Sequence, residues 1–276
     1  SQRNGAFWSV GRFMELEDGT WREAEGVKDW GIYKGDAGGL RTAANPAALA
    51  ASLDLDKKAR EEEDFSDVWA LTQAVDASVT PAQRAWLEQN VDIPTLVNYM
   101  AINTLIRHQD SGWHNWFISR DTPGTGRWQL WHWDLNWIFT TNVDDGKGDY
   151  LSPEGSNQLL QALLAQPDIK AMYARRVRTL ADTYLPAGGF EARWDAIATP
   201  YAADWALENS LWGTGSAASA RAKFITGVTE RRTTIAANSG PGKAYPLSQS
   251  ATPTVVINEV AYRPALAVKR DRAYVE

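Results

Sequence analysis

Polar and apolar residues alternate in short runs near the start of the chain and again between residues 115 and 133, whereas elsewhere the apolar positions recur at helical spacing. Residues 4–35 read as β-structure, with runs at Phe7 to Val10, Arg12 to Leu16 and Gly31 to Lys34. From Asn45 to Asn90 the pattern is helical. Within it, Lys57 to Asp64 is a dense charge run expected as a solvated helix face or linker. Ser66 is placed to cap a helix carrying Val68, Trp69 and Leu71, and Thr80-Pro81-Ala82-Gln83 has capping-box spacing. Asp92 caps a helix over Ile93 to Arg107, with Ile93, Leu96, Val97, Met100 and Leu105 mostly on one face.

A loop and a β-hairpin follow. Asp121 to Gly126 supplies the turn and Arg127 to Trp133 the return strand. Pairing Arg120 with Arg127 sets Asn115 opposite His132 and Trp113 opposite Asp134. Thr140 to Asn157 reads as a solvated loop, acidic through Asp144, Asp145 and Asp149 but without EF-hand spacing. Helices are expected at Leu159 to Leu164, Ile169 to Tyr184, Ala192 to Leu211 (broken near Pro200) and Ala217 to Ala237. Arg175, Arg176 and Arg178 lie off the apolar stripe of the second of these, on a face expected to meet solvent, the alternative being a seat for an acidic or phosphorylated substrate.

Composition narrows the class. The 276 residues are 44% hydrophobic with a net charge of -6, so no basic excess suggests a nucleic-acid partner. No apolar run reaches the roughly 20 residues of a membrane-spanning segment. Cysteine is absent, which excludes thiol catalysis, disulfides and zinc–thiolate sites. The first residue is Ser and the chain opens in mid-pattern, as expected of a piece of a longer protein.

The chemistry concentrates between His108 and Asn136, which holds all three histidines and many tryptophans. By hairpin register Asp110, Asn115 and Asp134 converge, and three oxygen-bearing side chains suit a hard cation such as Mg²⁺. The spacing follows the protein-kinase plan: an Asp orienting the acceptor hydroxyl, an Asn five residues later and an Asp across a hairpin on metal. Three other readings stand beside it. Each polar residue alone could be structural, the tryptophans could stack on sugars or an adenine ring, and His114 and His132 could serve a zinc hydrolase. His108 reads as a core histidine buttressing the loop.

D-S-G-W-H-N followed by W-H-W-D-L-N closely resembles the CotH kinase family, the spore-coat protein H group of atypical protein kinases. That family's pattern is Asp-x4-Asn and then W-D-x-D, and only the last Asp departs here, to Asn136. The resemblance spans roughly residues 4–237. It implies an α+β, protein-kinase-like fold, mostly the helical large lobe with part of the small β lobe. Much of the nucleotide-covering lobe is then expected upstream of Ser1, because the family's R-G-x-S motif is missing. It further implies ATP and Mg²⁺ (or Mn²⁺) as cofactors and a Ser/Thr-bearing protein as partner, with Asp110 catalytic and Asn115 and Asp134 on the metal. Lys34, paired with Glu15 or Glu17, and Asn136 would meet the nucleotide, the alternative for Lys34 and the glutamates being strand-end charges that face solvent. The glycines Gly35, Gly38 and Gly39 lack the G-x-G-x-x-G spacing and read as an ordinary loop rather than as a cover for phosphate.

Residues 239–252 read as a Gly/Pro/Ser-rich linker between a domain at 1–238 and residues 253–276. There V-V-I-N-E-V-A-Y-R-P resembles the first strand of a lamin-tail domain, an immunoglobulin-like module, which points to a secreted or surface setting. The alternative function is a catalytically inactive CotH-like surface, spore-coat or adhesion module.

Overall fold

The computed structural model describes residues 1–10, 16–139 and 150–249. Its first part comprises β1 (Gln2–Arg3), β2 (Ala6–Phe7), α1 (Gly19–Ala24), β3 (Gly31–Gly35), α2 (Pro46–Leu53) and β4 (Leu55–Ala59). Then come α3 (Ser66–Ala74), α4 (Pro81–Asn90), α5 (Ile93–Ile106) and the hairpin β5 (Trp116–Arg120) and β6 (Trp128–His132). The remainder is helical: α6 (Gln158–Ala165), α7 (Pro167–Tyr184), α8 (Gly189–Ala198), a 3₁₀ turn (Thr199–Tyr201), α9 (Ala202–Trp212) and α10 (Ala217–Ala237). The expected lamin-tail strand, the strand Arg12 to Leu16 except its last residue, and the acidic residues Asp144, Asp145 and Asp149 lie outside the described residues.

One antiparallel sheet runs β4-β3-β5-β6. Strand alternation gives it two unlike faces. Tyr33, Trp116, Ile118, Leu130 and Trp128 belong to the large core shared with the helices. Ile32 and Phe117, from the opposite face, form a smaller cluster with Val27 and Ala59, against which Trp21, Trp30, Trp131 and Trp133 pack. Most of the tryptophans on this hairpin therefore serve packing.

Three expectations need correction. The charge run does not form a helix or a linker: its start is β4, the edge strand beside β3, with a bulge between Ile32 and Tyr33. Lys57 there is 7% exposed. Its ammonium donates to the carbonyls of Glu63 (3.2 Å) and Asp64 (2.9 Å) and sits 5.2 Å from the Tyr33 ring centroid, so the acidic stretch folds back to satisfy a buried cation. Ser66 is the first residue of α3 rather than its cap; its backbone and hydroxyl donate to Asp64 at 2.9 and 2.7 Å. Residues 19–24, read as part of a β-region, are helical because the Asp18 carboxylate accepts from Trp21 N at 2.9 Å.

The hairpin register is also shifted by one residue. Arg120 pairs with Trp128 and Trp116 with His132, and Asp121 N still bonds Arg127 O at 3.0 Å. Asp121 thus extends the ladder and caps the turn, its carboxylate accepting from Thr125 N at 2.7 Å. A slip of one residue reassigns every cross-strand neighbour. Continued past the ladder, the observed register brings Asn115 level with Trp133 and His114 level with Asp134.

The central helix forms where the caps place it. Asp92 accepts from Thr95 N at 3.1 Å, Pro94 stands in the first turn, and Arg107 ends the helix in the left-handed region. Burial is wider than a single stripe, with ten of its residues buried. Tyr99 stacks on His132 of the sheet at 4.6 Å, while Thr104 bonds Tyr173 of α7 at 2.7 Å. A helix packed on both sides is apolar nearly all round.

Trp116 joins these parts. It is fully buried, its ring fills the space left by the missing side chain of Gly35, and its indole donates to Gly38 O at 2.9 Å. Trp116→Ala is expected to lower stability by about 3–5 kcal/mol in urea unfolding. A loss under about 1 kcal/mol would contradict this role.

Candidate active site

Two backbone contacts close a gap at the C-terminal end of α5. On one side Gln109 N donates to Trp137 O at 3.2 Å; on the other Trp116 pairs with His132 in the ladder. Between them run residues 110–115 on one segment and 133–136 on the other. Asp110 and Asn115 stand on the first, Asp134 and Asn136 on the second. Just past the ladder's last pair, Asn115 (φ 50) on one strand and Asp134 (φ 48) on the other are left-handed, which turns both segments out of the ladder. Asn and Asp tolerate that conformation better than other residues with a side chain.

Within the gap Asn115 Nδ2 donates to Asp110 Oδ2 at 3.2 Å. Asp110 is 7% exposed, and Asn115 is its side chain's partner among the described residues. Asp134 and Asn136 have no hydrogen-bond or ion-pair partner among the described residues, and Asn136 is exposed. Lys34 lies on the face of β3 that carries Phe117 and Trp133. Its ammonium is 2.7 Å from Asp36 and 5.7 Å from the Trp133 ring centroid. Its carboxylate partner is therefore Asp36, two residues along the strand, rather than the expected Glu17. Glu15 lies outside the described residues.

The loop is held from below. His108 is buried and its Nδ1 is 3.2 Å from Asn103 Oδ1, as expected of a buttressing core histidine. Tyr150 donates to His108 O at 2.6 Å, Arg231 donates to Tyr150 O at 2.8 Å, and Tyr173 and Tyr245 both donate to Leu151 O. Burial pushes the Tyr99 hydroxyl up to about 12, offset by hydrogen bonds to Asn103 and Ser111. Burial also pushes His132 down to about 4; a neighbouring His108 lowers it further and a hydrogen bond to the Tyr99 backbone opposes this. His132 is thus neutral near pH 7 and adds no charge to the gap.

Glycines set the spacing here. A Cβ on Gly112 (φ +83) would collide with the carbonyls of Pro153 and Glu154, and one on Gly39 would meet the backbone of Gly112 and Asn157. Three segments cross here backbone to backbone. Gly35, the last residue of β3, and Gly39 leave room for close packing against Trp116 and the backbone of Gly112 and Asn157. The described end of the 140–157 loop is correspondingly packed rather than solvated: Tyr150 is 2% exposed.

No three His, Cys, Asp or Glu side chains gather among the described residues, so the three histidines form no zinc-type cluster there. The predicted metal set is different, pairing carboxylate with amide. Cavities of about 640, 690 and 430 Å³ lie elsewhere: beside α8 and α9, between α5 and α7, and beside Arg178 and Arg232.

The family described as CotH kinase protein matches residues 15–236. The chain belongs to the CotH kinase family. No curated protein matches it. Membership makes an atypical kinase the general class, and the mixed helix and sheet architecture is compatible with an α+β kinase-like fold. No helix among the described residues is long and apolar enough to cross a membrane.

Of the residues singled out in this CotH chain, the structure joins Asp110 and Asn115 directly and sets Asp134 and Asn136 on the facing segment. Lys34 reaches Trp133, the residue before Asp134, without contacting Asp110 or Asn115 among the described residues. Sequence reasoning missed the supporting residues Tyr150, Arg231 and Gly112. Arg231 lies 81 positions from its partner Tyr150 and carries no local signal. Gly112, inside D-S-G-W-H-N, was the one that could have been found.

Left-handed backbone at Asn115 and Asp134 has a measurable consequence. At either position the Ala variant is expected to be less stable than the Gly variant by about 1 kcal/mol in chemical denaturation. Equal stabilities would show that the conformation carries no strain for a side chain.

Proposed function

We propose that the chain is an atypical protein kinase that transfers the γ-phosphoryl group of ATP to a Ser or Thr hydroxyl of a secreted or surface protein. The observation that carries the reading is the Asp110–Asn115 contact inside a gap tied by backbone at both ends, with Asp134 and Asn136 opposite. The donor set fits a divalent ion. Asn115 spends its Nδ2 on Asp110, which leaves its amide oxygen available, and Asp134 contributes a carboxylate with no competing partner among the described residues. Hard cations take such oxygens.

Asp110 accepts the hydrogen bond of the acceptor hydroxyl and holds it in line, its Oδ2 fixed by Asn115 and its Oδ1 left for the substrate. Phosphoryl transfer depends on this positioning more than on strong base catalysis. Asn115 and Asp134 hold Mg²⁺ or Mn²⁺, which supplies charge neutralisation on the phosphates. Asn136 offers a neutral amide oxygen to metal or phosphate, a weaker contact than a carboxylate. Lys34 meets a phosphate by exchanging Asp36 for it. The lamin-tail resemblance of Val255 to Pro264 supports the secreted or surface setting.

One observation favours the second reading, a catalytically inactive CotH-like surface, spore-coat or adhesion module. Asn136 stands where the family's W-D-x-D pattern has its last Asp, and a neutral amide holds metal or phosphate more weakly than a carboxylate. The two readings separate in a transfer assay with labelled ATP, Mn²⁺ or Mg²⁺ and a Ser/Thr-rich protein acceptor. Label is expected on Ser or Thr, and Asp110→Asn is expected to reduce it about 10²-fold or more while leaving the fold intact. Label that persists undiminished in the variant would remove Asp110 from the chemistry, and no label in the parent would favour the inactive module.

A further inference from the structure

The cleft of about 690 Å³ between α5 and α7 combines an apolar floor with two arginines. Ile93, Val97 and Met172 form the floor, and Arg175 and Arg176 line the rim. The sequence reading puts these arginines on a solvated face, with an acidic or phosphorylated substrate as the alternative. The structure gives them different circumstances. Arg176 is half-buried and held, its Nε donating to Asn98 Oδ1 at 2.6 Å. Arg175 is exposed, and its guanidinium has no partner among the described residues. The acidic side chains nearest along α7 are already engaged, Asp168 by Arg84 (2.9 Å) and Asp182 by Arg178 (2.6 Å). In a chain of net charge -6 the two guanidinium groups give this cleft a local positive charge.

We propose that this cleft docks an acidic segment of the protein substrate, with one or two aliphatic residues on the floor and neighbouring carboxylates on Arg175 and Arg176. Apolar residues anchor such segments and charge fixes their register. Arg176, immobilised by Asn98, presents its remaining N–H groups with little further loss of side-chain freedom. The inference deepens the kinase reading and rests on it for its consequence. The cleft lies along the first half of α5, the helix whose far end delivers Asp110. At a rise of about 1.5 Å per residue, Asn98 and Ile93 stand roughly 12 and 20 Å from Ile106. An extended chain covers about 3.3 Å per residue, so at least about four to six residues must separate the docked segment from the phosphoacceptor.

The test is fluorescence anisotropy, without ATP, on the full chain. The probe is a labelled dodecapeptide of alternating leucine and glutamate, beside a copy with glutamine for glutamate and beside anionic lipid vesicles. The acidic peptide is expected to bind, to weaken with added salt, and to lose about tenfold or more in affinity against Arg175→Glu, as when a charge-assisted hydrogen bond is lost. Arg175→Lys should retain most of the affinity. Arg175 is exposed, so both variants should melt like the parent. Equal binding of the acidic and glutamine peptides, unchanged binding by Arg175→Glu, or binding of vesicles without the peptide would overturn the proposal. Because no ATP is present, a chain that binds the peptide yet transfers no phosphoryl group upholds the docking site and overturns the kinase reading alone.

Discussion

Helix α5 is tied at both ends, through backbone, to a single stretch of chain. At its start Asp92 N donates to Trp128 O at 2.9 Å, and at its end Phe139 N donates to Ile106 O at 2.8 Å. Between these ties the stretch runs through β6 and the turn that carries Asp134 and Asn136. The helix therefore cannot slide or rotate without breaking the strand that supplies half of the candidate site. Backbone hydrogen bonds impose this more firmly than side-chain packing would, because an unmade buried N–H or C=O is costly. The positions of Asp110 and Asn115 follow, since they lie on the short span between the end of α5 and the start of β5.

The support behind that span is layered. Helices α7 and α10 and the residue Tyr245 converge on the backbone of Tyr150 and Leu151. Tyr150 passes the constraint to His108, two residues before Asp110. Arg231 is 2% exposed, and burial pushes its guanidinium down while Tyr245 and Tyr173 oppose this. An arginine so placed is worth its desolvation only when its N–H groups are used, and here one holds the Tyr150 carbonyl. The residues expected as a linker begin by folding back against the domain: Tyr245 donates to Leu151 O at 2.6 Å, and Gln249 N donates to Asp182 at 2.9 Å.

Much of this was legible in the chain because it rests on local signals. Thr80 and Asp92 cap their helices as read, α7 follows its apolar stripe, and α10 has the bounds expected of it. Asp110 and Asn115 were legible by spacing alone, as a loop keeps close neighbours close. What failed depended on distant partners. β4 was hidden because Lys57 reads as solvated until Tyr33 and the Glu63 and Asp64 carbonyls are brought to it. The hairpin slipped by one residue because Asp121 looks like turn but serves both the ladder and the cap. That slip exchanged the neighbours of Asn115 and Asp134, yet left both at the same end of the hairpin.

The central claim is that Asp110, Asn115 and Asp134 form one metal-dependent nucleotide site. Its most direct test is calorimetric titration of ATP with Mg²⁺ or Mn²⁺ into the parent protein and into Asp134→Ala. Binding that requires the metal, and that is lost in the variant while the fold is kept, is the expected result. Absence of metal-dependent binding in the parent would contradict the claim and leave a CotH-type scaffold without the function of a kinase.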